Sequence, residues 1–161
     1  MALSPRKGAS RKPRAAHGTL AFSSAGLEDG AGMSFETKRS GAAPDAIAPD
    51  GSEVRVLCRS AHGSMAAFSL PAHGVAKAVA HRSVDELWYV AAGRGRIWRR
   101  LAGREDIVEL VPGISLSIPV GTQFQFRCDG TDALTVIGTT MPPWPGADEA
   151  YPVDGPWQPT A

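Results

Sequence analysis

His81 and Glu86 are the pair in this chain whose types could do chemistry. They are an imidazole and a carboxylate five residues apart, the groups that most often move protons near neutral pH. Glu86 directly leads the apolar run Leu87 to Ala92, where a carboxylate reads better as a pocket residue than as solvated charge. In the plainer alternative His81 hydrogen-bonds Asp85 or Glu86 at a strand end, and the two acids form a solvated pair at a turn. His62 and His73 each precede a glycine, which suits turns better than a triad with His81. Arg94, Arg96, Arg99, Arg100 and Arg104 crowd one stretch. An arginine turned into a cavity would favour a carboxylate or phosphate ligand; solvated charge on an edge hairpin is the commoner meaning. No Gly-rich phosphate loop, Gly-x-Ser-x-Gly elbow or paired CxxC is present.

The elements that must position these residues are short strands. Val54, Val56 and Cys58 alternate with Arg55 and Leu57; Met65 to Leu70 follows, closed by Pro71, and Val75 to Ala80 is a weaker third. Glu86 to Ala91 is the strongest, rich in Trp, Tyr and Val. The turn Gly93-Arg94-Gly95 then predicts Arg96 to Leu101 as its hairpin partner. Further strands are predicted at Asp106 to Leu110, Ile114 to Ile118, Thr122 to Cys128 and Leu134 to Thr139. Turn signals at Pro112-Gly113, Pro119-Val120-Gly121 and Asp129-Gly130 separate them. Short strands so spaced, with no helix-length amphipathic stretch, predict an all-β sandwich or barrel. If Phe124 points inward, period 2 turns Gln123 and Gln125 outward.

With 161 residues the chain has room for one ordinary domain, and its net charge of +1 supplies no global field for nucleic acid or membrane. Residues 1 to about 50 lack sustained periodicity and are dominated by Ser, Ala, Gly, Pro and Arg. They are expected to form a disordered leader, with an organelle transit peptide or a basic nucleic-acid tail as the alternatives. Met33 offers a second start, beyond which Lys and Arg number 12 against 14 Asp and Glu. The Pro- and Trp-rich segment from Met141 to Ala161 is expected to lie extended across the barrel. Two cysteines, Cys58 and Cys128, are too few for a disulfide framework, and no apolar run approaches a membrane span. A reducing cytoplasm is the expected compartment.

Two segments together carry a family resemblance. In His81-Arg82-Ser83-Val84-Asp85-Glu86-Leu87-Trp88-Tyr89-Val90-Ala91-Ala92-Gly93 the spacing from Glu86 to Gly93 is kept. In Ile118-Pro119-Val120-Gly121-Thr122-Gln123-Phe124-Gln125-Phe126-Arg127-Cys128 the Pro-x-Gly turn and aromatic strand are kept. In this order the chain resembles the cupin superfamily over roughly residues 52 to 140. The resemblance implies a single jelly-roll barrel and a divalent iron, manganese, nickel or zinc ion held by three imidazoles and a carboxylate. The matching positions supply only His81 and Glu86 as metal ligands. Val79 stands where the first histidine would fall, Phe124 replaces the last, and Cys128 replaces the usual asparagine.

The expected architecture is therefore an all-β jelly-roll: leader 1–50, barrel 51–140 and packed tail 141–161. The expected function is binding of a small organic molecule in a cavity lined by Trp88, Trp98, Phe124 and Phe126, without a tightly held metal. The alternative is a metal-dependent isomerase, cyclase or dioxygenase using His81 and Glu86. A homodimer is expected, because Leu87-Trp88-Tyr89-Val90 is apolar on both faces. No nucleic-acid or membrane partner is expected.

Overall fold

Alternation of side chains along each strand builds two antiparallel sheets with a shared apolar interior. The computed structural model describes residues 35–160. The first sheet has six strands in the spatial order β1 (Ala46–Ile47), β2 (Glu53–Arg59), β3 (Ser64–Leu70), β10 (Leu134–Met141), β5 (Asp85–Ala92) and β8 (Ser115–Ile118). The second has five, in the order β11 (Ala150–Pro152), β4 (Val79–His81), β9 (Gln123–Cys128), β6 (Gly95–Leu101) and β7 (Arg104–Leu110). This is the all-β jelly-roll expected. Leu70, Val90, Ile97, Leu110, Phe126 and Val136 meet between the sheets as its core.

The turns dictate how the chain divides between sheets. β6 and β7 form a tight hairpin through Ala102 and Gly103, both at positive φ (50° and 78°), the backbone that matches the twist of paired strands. The turn at Gly93-Arg94-Gly95 does something else. It was expected to close a hairpin, but β5 pairs with β10 and β8 while β6 pairs with β7 and β9. The chain here crosses from one sheet to the other. Both glycines are packed too closely for a side chain, Gly93 against Ala133 and Leu134, Gly95 against the Arg127 carbonyl. The expected third strand is also displaced: Val75 makes one isolated bridge to Arg127, and regular pairing begins only at Val79.

Of the expected leader, residues 1–34 lie outside the described residues. Residues 45–50 join the fold: Ala46 and Ile47 pair with Val54 and Glu53, and the buried Asp50 accepts hydrogen bonds from Ser52 N–H (2.8 Å) and Oγ (2.7 Å). The C-terminal segment runs through a 3₁₀ turn at Ala147–Glu149 into β11, which pairs with β4. Farther on, Gln125 holds Trp157: its amide nitrogen donates to the Trp157 carbonyl (2.9 Å) and its oxygen accepts the Trp157 N–H (3.0 Å). Gln125 does face away from the core, yet it is buried, because the tail covers that face.

Candidate functional site

Strand β5 places the acid. Glu86, Trp88 and Val90 are buried on its inner side, while Leu87 and Tyr89 point out. The cross-strand register sets Thr140 opposite Glu86 and Gly138 opposite Trp88. Gly138 is required by its surroundings: a Cβ there would lie 2.5 Å from Glu86 Oε1 and 2.6 Å from the Phe68 ring. The missing side chain is the space into which carboxylate and ring fit.

Strand β4 ends in His81, whose Nδ1 lies 3.6 Å from Glu86 Oε2, beyond an ordinary hydrogen bond. Two rings stand edge-on to the imidazole at 5.2 Å, Phe124 from β9 and Trp144 from the tail. Trp88 completes the wall, against Phe124 at 5.9 Å and Phe68 at 6.2 Å. These residues line a cavity of about 650 Å³, together with Asp50 and the mouth residue Arg59.

Burial governs the electrostatics. It raises the Glu86 carboxyl to about 7, eased by the nearby Trp88 indole N–H and reinforced by the charge of Asp50. The Trp88 N–H acts at a distance, because it closes no hydrogen bond. Burial lowers the His81 imidazole to about 4, against a smaller upward pull from Glu149. Asp50 is likewise raised by burial, with the Ser52 donors and Lys77 opposing. Glu149 differs. Burial works against its ionisation, but Ser83 N–H and Oγ and the Val84 N–H outweigh that and hold the carboxyl below its ordinary value. At neutral pH the site thus presents a neutral imidazole beside a carboxyl group poised to gain or lose its proton. Glu86 Oε1, His81 Nδ1 and Trp88 Nε1 all lack a hydrogen-bond partner.

Of the residues expected at the site, His81, Glu86, Trp88 and Phe124 come together at the cavity. Phe126 sits one layer behind, in the core, 5.0 Å from Trp88. Trp98 is a correction. Ile97 registers with Phe126 and points inward, so Trp98 registers with Gln125 on the opposite face, away from the cavity. None of the arginines from Arg94 to Arg104 lines the cavity; Arg99, for one, is engaged by Asp106. Asp50, Phe68, Gly138 and Trp144 were missed. Gly138 left a signal, since a glycine inside a strand marks a close approach, and Trp144 belongs to the tail expected to pack on the barrel.

The donor set does not fit the divalent ion that the cupin resemblance implied. Phe124 sets hydrocarbon against the imidazole where a ligand would be needed, and Val79 registers with it. Among the described residues no three His, Cys, Asp or Glu side chains gather to hold an ion.

No protein-family model matches the chain, and no curated protein matches it. Solved structures do. CapF, a capsular polysaccharide assembling protein from Staphylococcus aureus, is 17% identical with a TM-score of 0.56, over 68% of this chain and 34% of that one. A Klebsiella pneumoniae protein with a double-stranded β-helix domain is 11% identical with a TM-score of 0.54, over 68% of this chain and 91% of the other. The Bacillus halodurans protein BH2720 is 22% identical with a TM-score of 0.52, over 56% and 70%. The chain spans about a third of the length of CapF. At these identities the likeness is one of fold, the double-stranded β-helix of the Klebsiella protein's domain.

Proposed function

We propose that the barrel cavity binds a small organic molecule and does so without a tightly held metal ion. One observation carries this reading: a buried carboxylate and imidazole with unmet hydrogen-bonding capacity stand in the wall of a 650 Å³ aromatic cavity. Buried polar atoms without partners are costly, and a ligand that pairs with them relieves the cost. The volume lies within the range that holds metabolite-sized molecules. Native mass spectrometry of the purified chain, followed by denaturing release, tests it. A bound organic species that disappears when Ala66→Phe fills the cavity is expected; stoichiometric iron, manganese, nickel or zinc would overturn it. Free thiols at Cys58 and Cys128 favour a reducing compartment such as the cytoplasm. No helix among the described residues is long and apolar enough to cross a membrane.

A second reading is favoured by the Glu86 carboxyl titrating near neutrality, the value that suits a general acid or base. The protein would then move a proton on its ligand, as an isomerase does. Deuterium taken up by the released ligand in heavy water, and lost in Glu86→Gln, would support that reading.

A further inference from the structure

Three carboxylates line the cavity against one guanidinium, and their situations differ. Asp45 Oδ2 accepts the Val56 N–H (2.8 Å), and Asp50 Oδ1 accepts the two Ser52 donors. Arg59, the guanidinium, belongs to an exposed residue at the end of β2, where water screens it. Of the three, only Glu86 has a fully buried oxygen without a hydrogen-bond partner, and the adjacent His81 is held neutral by burial. Rings crowd this part of the wall: Phe68 beside Oε1, Trp88 on the same strand, and Phe124 and Trp144 against His81.

A carboxylate in an apolar wall gains most from a partner of opposite charge, more than from a neutral donor. Aromatic rings add to that preference, since their negative faces attract cations. An anionic ligand would meet three acids. On the reading that the cavity binds a small organic molecule, we infer that this molecule is an organic ammonium ion, its nitrogen seated beside Glu86 among Phe68, Trp88, Phe124 and Trp144. Its apolar remainder fills the cavity toward Ile47 and Val54.

Calorimetric titration of the full chain at mildly alkaline pH tests the charge class, using benzylammonium, benzyltrimethylammonium, benzyl alcohol and benzoate as probes. Both ammonium ions should bind at least about tenfold more tightly than the alcohol, with benzoate weakest. That preference should vanish in Glu86→Gln, which keeps the side chain's shape. Phe68→Leu leaves the carboxylate in place and should reduce the preference severalfold; it serves as the second arm if Glu86→Gln misfolds. Preference for benzylammonium alone would assign the nitrogen a donor role toward Glu86, still within the proposed class. Alcohol or benzoate binding as tightly as the ammonium ions would overturn the ligand class and leave the cavity reading standing. So would an ammonium preference that survives Glu86→Gln. Failure of every probe to bind would overturn the inference together with the reading it rests on.

Discussion

Glu86 is ionised at a cost, and the cost has a pH signature. Its folded carboxyl titrates near 7 against an ordinary 4.5, so the folded state favours the protonated form. The stability this brings is full below about pH 4.5 and is lost as pH rises through about 7. His81 acts in the opposite sense. Its imidazole titrates near 4 against 6.5, so its contribution is full above 6.5 and is lost as pH falls through about 4. Between these limits the two slopes oppose each other in the native protein, and a single variant separates them. Glu86→Gln should be close to neutral at about pH 4 and increasingly stabilising up to about pH 8, by as much as ~3 kcal/mol. Urea denaturation of both proteins across that range measures it, and a difference independent of pH would refute it. A neighbouring residue tests the packing. Gly138→Ala forces a methyl group against Glu86 Oε1 and the Phe68 ring and should cost about 1–3 kcal/mol. Adding Phe68→Leu should return part of that loss, whereas strictly additive effects would place the strain elsewhere.

At the scale of elements, the strands were legible because each carries its period in its own residues. Glu86, Trp88 and Val90 alternate with Leu87 and Tyr89, and the burial follows that alternation. Sheet membership was not legible. A Gly-Arg-Gly turn serves a hairpin or a crossing equally well, and what decides here is the packing of Gly93 and Gly95 on segments more than thirty residues away. The same limit governed the site. His81, Glu86, Trp88 and Phe124 sit in the two segments that resemble the cupin motifs, whereas Asp50, Phe68 and Trp144 reach the cavity only through topology. Trp98 was misplaced because β6 buries neighbours on both faces, Ile97 within and Trp98 without, so hydrophobicity alone gave no direction. One turn offers a local test. Ala102 holds a left-handed φ of 50° that favours Asn or Gly, and it precedes Gly103. Ala102→Asn completes the Asn-Gly pair suited to such a hairpin and should raise stability by about 0.5–1 kcal/mol. An unchanged thermal midpoint would show that the strain is relieved elsewhere.

The whole molecule treats its two sheets differently. The outer face of the second is covered in part by the chain itself, where Gln125 grips Trp157 and Arg127 lies 4.7 Å over the Trp157 ring. The first sheet has a different outward face. Tyr89 is 52% exposed, Leu87 49% and Met65 39%. The register brings them together: Met65 and Leu87 flank Thr139, and Ala67 and Tyr89 flank the partly buried Ile137. Antiparallel sheets that face water usually alternate to polar residues on that side, so an apolar row here calls for cover. A second copy placing the same face against this one would supply it, each large apolar side chain contributing about 1.5–3 kcal/mol when fully buried. The chain is therefore expected to be a dimer in light scattering. Replacing Leu87 and Tyr89 together by Glu should yield a monomer with an unchanged β-sheet circular dichroism spectrum, because both side chains point away from the core. Neither Leu87 nor Tyr89 lines the cavity, so the monomeric variant should keep its ligand affinity. A native chain that remains monomeric at every workable concentration would overturn the dimer. A double variant that still dimerises would move the interface to another face.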